Sequence, residues 1–73
     1  MTEAQRRVYE FVAAYLHEHS YAPTVREVQQ GIGYGSTSTA HLHIKALVSL
    51  GYLAGSGRTL RLGWKGQDAG VAG

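Results

Sequence analysis

Residues 24–50 read TVREVQQGIGYGSTSTAHLHIKALVSL, and much of the architecture can be predicted from them. Thr24, followed three residues later by Glu27, is a capping box, which opens a helix by satisfying two free backbone N–H groups. The turn at Gly33 closes that helix, and Ser36 is a suitable N-cap for the next one. Two short helices joined by a tight turn are typical of a helix-turn-helix.

The last helix of this stretch is predicted to run from Ser36 to Leu50 and to end at Gly51, a residue suited to a left-handed C-terminal cap. Its periodicity separates an apolar face from a mostly polar one. The apolar face consists of Ala40, Ile44, Leu47 and Val48, and the opposite face consists of Ser38, His41, Leu42, Lys45 and Ser49.

Upstream of this stretch, the sequence predicts one more helix, over about residues 3–19. Thr2 and Gln5 form a second capping box at its start. An apolar stripe with helical spacing follows, made of Val8, Phe11, Val12, Tyr15 and Leu16.

Downstream of Gly51 the pattern changes from helical to alternating. Residues 52–54 and 59–62 read as two short strands, joined by the turn 55–58, which contains two glycines. In the second strand Leu60 and Leu62 are expected to face inward, whereas Thr59 and Arg61 face outward.

The predicted fold class is therefore mainly α with a small antiparallel β-hairpin: a three-helix winged helix-turn-helix. We expect this domain to cover residues 1–63 and residues 64–73 to form a flexible tail. The length of 73 residues fits one domain and not two. The absence of cysteine excludes a disulfide framework and thiolate metal ligands.

The charges are distributed unevenly along the chain. The net charge is only +2, but residues 28–67 contain four cations and no acid, a net charge of +4. This basic stretch includes the third predicted helix and the hairpin. A face without acids, flanked by the hairpin cations Arg58 and Arg61, favours double-stranded DNA as a partner, because it can approach phosphates closely.

Other classes of function find little support in the sequence. The histidine pairs 17/19 and 41/43 are spaced i, i+2, which points the rings about 200° apart on a helix, so we expect no metal site. No nucleophile elbow or phosphate-binding loop is present, and we expect no catalytic residue, no enzyme activity, no cofactor and no small-molecule substrate. No apolar run could span a membrane and no signal peptide is recognisable, so we expect a cytoplasmic protein.

The sequence resembles the DNA-binding domains of the LexA family, the bacterial SOS-response repressors, over most of the chain from Thr2 to Leu62. The segments that carry the resemblance are Gln5-Arg6-x-Val8, Tyr21-x-Pro23-Thr24-x-x-Glu27-Val28, Ile32-Gly33-Tyr34-x-Ser36, Lys45-Ala46-Leu47, Gly51-Tyr52-Leu53 and Leu60-Arg61-Leu62.

This resemblance implies a DNA-binding transcription regulator, a repressor, whose third helix lies in the major groove while the wing contacts the backbone. In the family, this DNA-binding domain is joined to a self-cleaving Ser/Lys peptidase domain, for which these 73 residues leave no room. A bacterial protein bound to the nucleoid, or a phage-encoded one, would fit. The implied DNA-binding residues on the third helix are Ser36, Ser38, Thr39, His41, Leu42 and Lys45, to which the wing adds Arg58 and Arg61.

A second hypothesis stays open: a small winged-helix interaction module that docks RNA polymerase or another DNA-processing protein. Leu42, on an otherwise polar face, could contact a thymine methyl group or a protein. Trp64 could cover the edge of the wing or anchor a partner. On DNA, the protein is expected to act as a homodimer on an inverted repeat or together with a partner protein.

Overall fold

The computed structural model describes residues 1–65, apart from the side chain of Arg58. Three helices precede a two-stranded antiparallel hairpin, which confirms the predicted winged helix-turn-helix. The elements are α1 (Glu3–His19), α2 (Val25–Ile32), α3 (Thr37–Leu50), β1 (Leu53–Ala54) and β2 (Arg61–Leu62). The predicted flexible tail lies outside the described residues from position 66 onward.

Both predicted capping boxes are present. The Thr2 hydroxyl accepts from the Gln5 N–H at 3.1 Å, and the Gln5 side chain accepts from the Thr2 N–H at 3.0 Å. Thr24 and Glu27 form the same pair of bonds at 3.1 Å and 2.9 Å.

Within residues 1–65, no helix has both the length and the apolar character needed to cross a membrane.

The start of α3 differs from the prediction in one detail. Ser36 occupies the N-cap position, but its side chain makes no capping bond to the backbone. Its hydroxyl instead lies 3.4 Å from the hydroxyl of Thr39. The first turn of α3 therefore keeps N–H groups that the Ser36 side chain does not satisfy.

The core sits where α1, α2 and the wing pack on one face of α3. α3 contributes Ala40, Ile44 and Leu47, as its periodicity predicts, and Val48 packs against them half-buried. The buried hydrophobic residues that form the core are Val8, Val12, Val28, Ala40, Ile44, Leu47, Leu53 and Leu60. The wing thus adds two leucines to the small core that a domain of this size can bury.

Gly31 lets α1 and α2 approach each other closely. A glycine inside a helix costs about 1 kcal/mol relative to alanine, so its presence needs a reason. The ring of Phe11, on α1, occupies the space where a Cβ on residue 31 would stand. The absence of a side chain therefore makes room for that ring.

The wing has shorter strands and a longer connection between them than predicted, residues 55–60 instead of 55–58. Its strands pair Leu53 with Leu62 and Ala54 with Arg61. The predicted second strand began at Thr59, which is wrong, because residues 57–59 form a 3-10 turn. The Thr59 hydroxyl stabilises this turn by donating to the Ser56 carbonyl at 2.7 Å and accepting from the Ser56 N–H at 3.1 Å.

The residues after the wing return to α3. The Lys65 N–H donates to the Gly51 carbonyl at 2.9 Å, and the Gly63 N–H donates to the Tyr52 carbonyl at 2.8 Å. The indole of Trp64 lies against Gly51, where the missing Cβ leaves space for it. Its remaining surface is open to solvent, with 65% of Trp64 exposed.

Candidate nucleic-acid interface

The outer face of α3 is a polar surface with one leucine in its centre. Because Ala40, Ile44 and Leu47 point into the core, residues about half a turn away point outward. The exposed side chains on this face are Ser38, His41, Leu42, Lys45 and Ser49, as predicted.

No aspartate or glutamate stands between residue 28 and the end of the described chain, so this face carries no negative side chain. The nearest acid in sequence is Glu27, at the start of α2. Its carboxylate accepts from the Thr24 N–H and from the Tyr15 hydroxyl at 2.7 Å, and those bonds hold it against α1. They also keep the pKa of Glu27 below its ordinary value, with the Thr24 backbone bond as the largest cause.

A groove of about 500 Å³ separates α3 from the wing. Lys45 and Ser49 line it on the α3 side, and residues 55–57 line it on the wing side. Val25 and Leu60 belong to its apolar lining, so the start of α2 borders the same groove. The outer face of α3 and the tip of the wing therefore form one concave surface.

One of the two predicted wing cations lies next to Gly55, a residue that lines this groove. Arg61 lies exposed on β2, and its guanidinium donates to the Thr59 carbonyl at 3.4 Å. The same guanidinium stands 3.0 Å from the position that a Cβ on Gly55 would take. The backbone of Arg58 lies in the 3-10 turn at the wing tip, and its side chain is outside the described part of the structure.

The other predicted site residues cluster at the N-terminal half of α3. Ser36, at the N-cap, and Thr39 are both exposed, and their hydroxyls are neighbours. Together with the outer face of α3 they make one continuous exposed surface. The structure thus brings together Ser36, Ser38, Thr39, His41, Leu42 and Lys45 on α3, and places Arg61 on the wing, next to Gly55.

The histidines of α3 diverge. His41 is exposed, whereas His43 is half-buried with its ring 5.6 Å from that of Tyr34. Among the described residues, no group of three histidine, aspartate or glutamate side chains is placed to hold a metal ion. His41 thus lies exposed on the outer face, where it lines the groove together with Lys45.

Sequence reasoning missed the groove, and it did not single out Arg26, a cation next in sequence to a groove-lining residue. Arg26 is exposed in the first turn of α2, directly after Val25, which lines the groove. A cation next to a capping box was visible in the sequence. Its distance from the groove depends on how α2 packs against α3, which is a tertiary property.

The fold is a winged helix-turn-helix of the DNA-binding class. Its last helix presents an outer face without acids, and its hairpin carries cations. The family model of the LexA DNA-binding domain matches residues 1–61. The chain belongs to the LexA DNA-binding domain family.

Curated relatives agree with this assignment. The chain is 43% identical over 53 residues to the LexA repressor of Carboxydothermus hydrogenoformans, covering 73% of this chain and 26% of that protein. It is 45% identical over 53 residues to the LexA repressor of Desulfatibacillum aliphaticivorans, with the same coverage. The chain thus spans about a quarter of the length of the curated relatives it matches, and the matched family is a DNA-binding module.

Proposed function

We propose that this protein is a transcription repressor that binds double-stranded DNA sequence-specifically, with α3 in the major groove and the wing on the flanking backbone. The observation that carries the proposal is the exposed, acid-free outer face of α3 beside a basic wing, in a chain of the LexA DNA-binding domain family. A helix with its side chains is about 10–12 Å wide, which matches a major groove about 12 Å wide.

The predicted site residues take two kinds of role in this proposal. Ser38, His41 and Leu42 reach base edges and set the preferred sequence. Ser36 and Thr39 complete the N-terminal half of the reading helix. The cations contact phosphates, Lys45 from α3 and Arg58 and Arg61 from the wing.

One copy of a domain this small buries only about 600–1,000 Å² on DNA. We therefore propose that tight binding uses two copies on an inverted repeat, or one copy beside a partner protein. Such a protein acts where the chromosome is, in the bacterial cytoplasm, on host or phage DNA.

Selection from a pool of random duplexes at moderate salt tests the proposal. Repeated rounds of binding should enrich one motif, and a two-copy complex should give an inverted repeat. The variant Ser38→Ala should enrich a changed motif, whereas Arg7→Ala, on α1 and paired with Glu3 at 3.9 Å, should enrich the same one. Absence of any enrichment by the folded wild-type protein would contradict the proposal.

The second candidate function is docking of a protein such as RNA polymerase. Two exposed apolar side chains favour it, since Leu42 is 66% and Trp64 is 65% exposed. No DNA enrichment, together with specific capture of a single protein that Leu42→Ala abolishes, would replace the first function by this one.

A further inference from the structure

Leu42 is an exposed apolar side chain on the outer face of α3. It is 66% exposed, and within residues 1–65 it belongs neither to the core cluster nor to the side chains packed against that cluster. A single exposed leucine needs no explanation on an ordinary surface. Leu42 differs because it occupies the centre of the face proposed to enter the major groove.

The helix geometry makes Leu42 a projecting side chain on that face. Ala40 and Ile44 each stand two residues away, so the direction of Leu42 differs from both by about 200° around the helix, and it points away from the core. Side chains on a helix lean toward its N-terminus, which brings Leu42 over Ser38, one turn earlier. Because serine is short, the leucine reaches farther from the helix than this neighbour does.

In the major groove of DNA, only one feature of the bases suits an apolar side chain such as leucine. Every base edge in the major groove offers hydrogen-bond donors or acceptors, and thymine alone adds an apolar group, the C5 methyl. Leucine has no group with which to pair a donor or an acceptor. Placed over cytosine or guanine it would strip water from polar atoms without replacing the hydrogen bonds.

The surroundings of Leu42 favour DNA over an apolar protein surface as its partner. Its exposed neighbours on α3 are Ser38, His41 and Lys45, and no acidic side chain lies on this face. A lone leucine among polar and cationic groups is not the contiguous apolar patch typical of protein docking sites. The cation and the missing acids instead complement a polyanion.

We propose that Leu42 selects thymine at one position of the binding site by packing on its C5 methyl group. This inference rests on the proposed function, because it requires α3 to lie in the major groove. It adds a specific base and a specific atom to that proposal.

Uracil substitution tests the inference, because uracil keeps every hydrogen-bonding group of thymine and lacks only the methyl. Each thymine of the selected duplex is replaced in turn, and binding is measured for wild type and Leu42→Ala. At one position the substitution should weaken wild-type binding about three- to fivefold, the value of one buried methyl group. With Leu42→Ala the same substitution should have no effect.

A matched control is Leu50→Ala, which truncates another exposed leucine of α3, 41% exposed, at the C-terminal end of the helix. It should retain the full uracil effect, and circular dichroism serves to check that both variants are folded. Wild-type binding that tolerates uracil at every position, or a uracil effect that survives Leu42→Ala, would overturn the inference while leaving DNA binding intact. Failure to bind any duplex would instead remove the proposed function, and loss of a protein complex in Leu42→Ala with DNA binding unchanged would assign Leu42 to a protein partner.

Discussion

The hydroxyl of Tyr15, on α1, donates a hydrogen bond of 2.7 Å to the carboxylate of Glu27, on α2. The other carboxylate oxygen closes the capping box of α2 by accepting from the Thr24 N–H at 2.9 Å. One side chain thus caps the first helix of the helix-turn-helix and ties it to α1. The same bond raises the pKa of Tyr15, mainly because the ionised phenol could not donate to Glu27.

This arrangement predicts a loss of stability in acid. The hydrogen bonds from Thr24 and Tyr15 lower the pKa of Glu27 in the folded state, so folding favours the charged carboxylate. That contribution is present above the ordinary carboxyl pKa of about 4.3 and is lost as the pH falls through the lowered value. In thermal melts from about pH 6 to pH 2, Glu27→Gln should therefore lose less stability than wild type.

Glutamine retains the capping hydrogen bonds, which makes this variant a test of charge rather than of shape. Tyr15→Phe, which removes only one donor to Glu27, should give an intermediate pH dependence. Melting curves of Glu27→Gln that run parallel to those of wild type over the whole pH range would contradict the assignment.

Gly31→Ala should destabilise the protein although alanine is the better helix former. The gain in helix propensity is about 0.8–1 kcal/mol, whereas forcing a methyl group into the space of the Phe11 ring costs about 1–3 kcal/mol. Urea denaturation should show a lower free energy of unfolding. The control Gln30→Ala, at an exposed neighbouring position, should stay within about 0.5 kcal/mol of wild type. A stabilised Gly31→Ala would mean that α1 and α2 lie farther apart than the structure has them.

Tyr34→Phe should leave stability unchanged or raise it, by up to about 1–2 kcal/mol. The hydroxyl oxygen of Tyr34 is buried and has no hydrogen-bond partner among the described residues. Removing an unpaired buried polar group removes its desolvation cost. A clear destabilisation in urea would show that the hydroxyl has a partner in solution.

His41→Ala should change the preferred DNA sequence more than the overall affinity. A side chain that pairs with a base edge contributes about 1–3 kcal/mol of discrimination against the wrong base. Binding to a panel of single-base variants of the selected duplex should therefore lose discrimination at one or two adjacent positions. Equal weakening across the whole panel would assign His41 to the backbone instead.

Several features of the fold could be predicted because they depend on neighbours in sequence. The capping boxes at Thr2 and Thr24 fixed two helix starts, and the glycines at 33 and 51 fixed two helix ends. The apolar face of α3 followed from periodicity alone. These signals are local, so a single sequence contains them.

The features that sequence reasoning missed depend on contacts between distant residues. The need for Gly31 comes from Phe11, twenty positions earlier on another helix. The groove between α3 and the wing exists because Leu60 packs into the core and brings residues 55–57 opposite Lys45. The 3-10 turn depends on side-chain bonds of Thr59, a residue whose β-branching favours a strand.

The salt dependence of DNA binding tests most directly whether the outer face of α3 and the wing form the DNA interface. With three or four phosphate contacts, log K against log salt concentration should have a slope of about −3 per protomer in a gel-shift titration. Lys45→Ala should reduce the slope by about 1, and Arg7→Ala, on α1, should leave it unchanged. A wild-type slope near zero, or a slope that Lys45→Ala does not alter, would contradict the proposed interface.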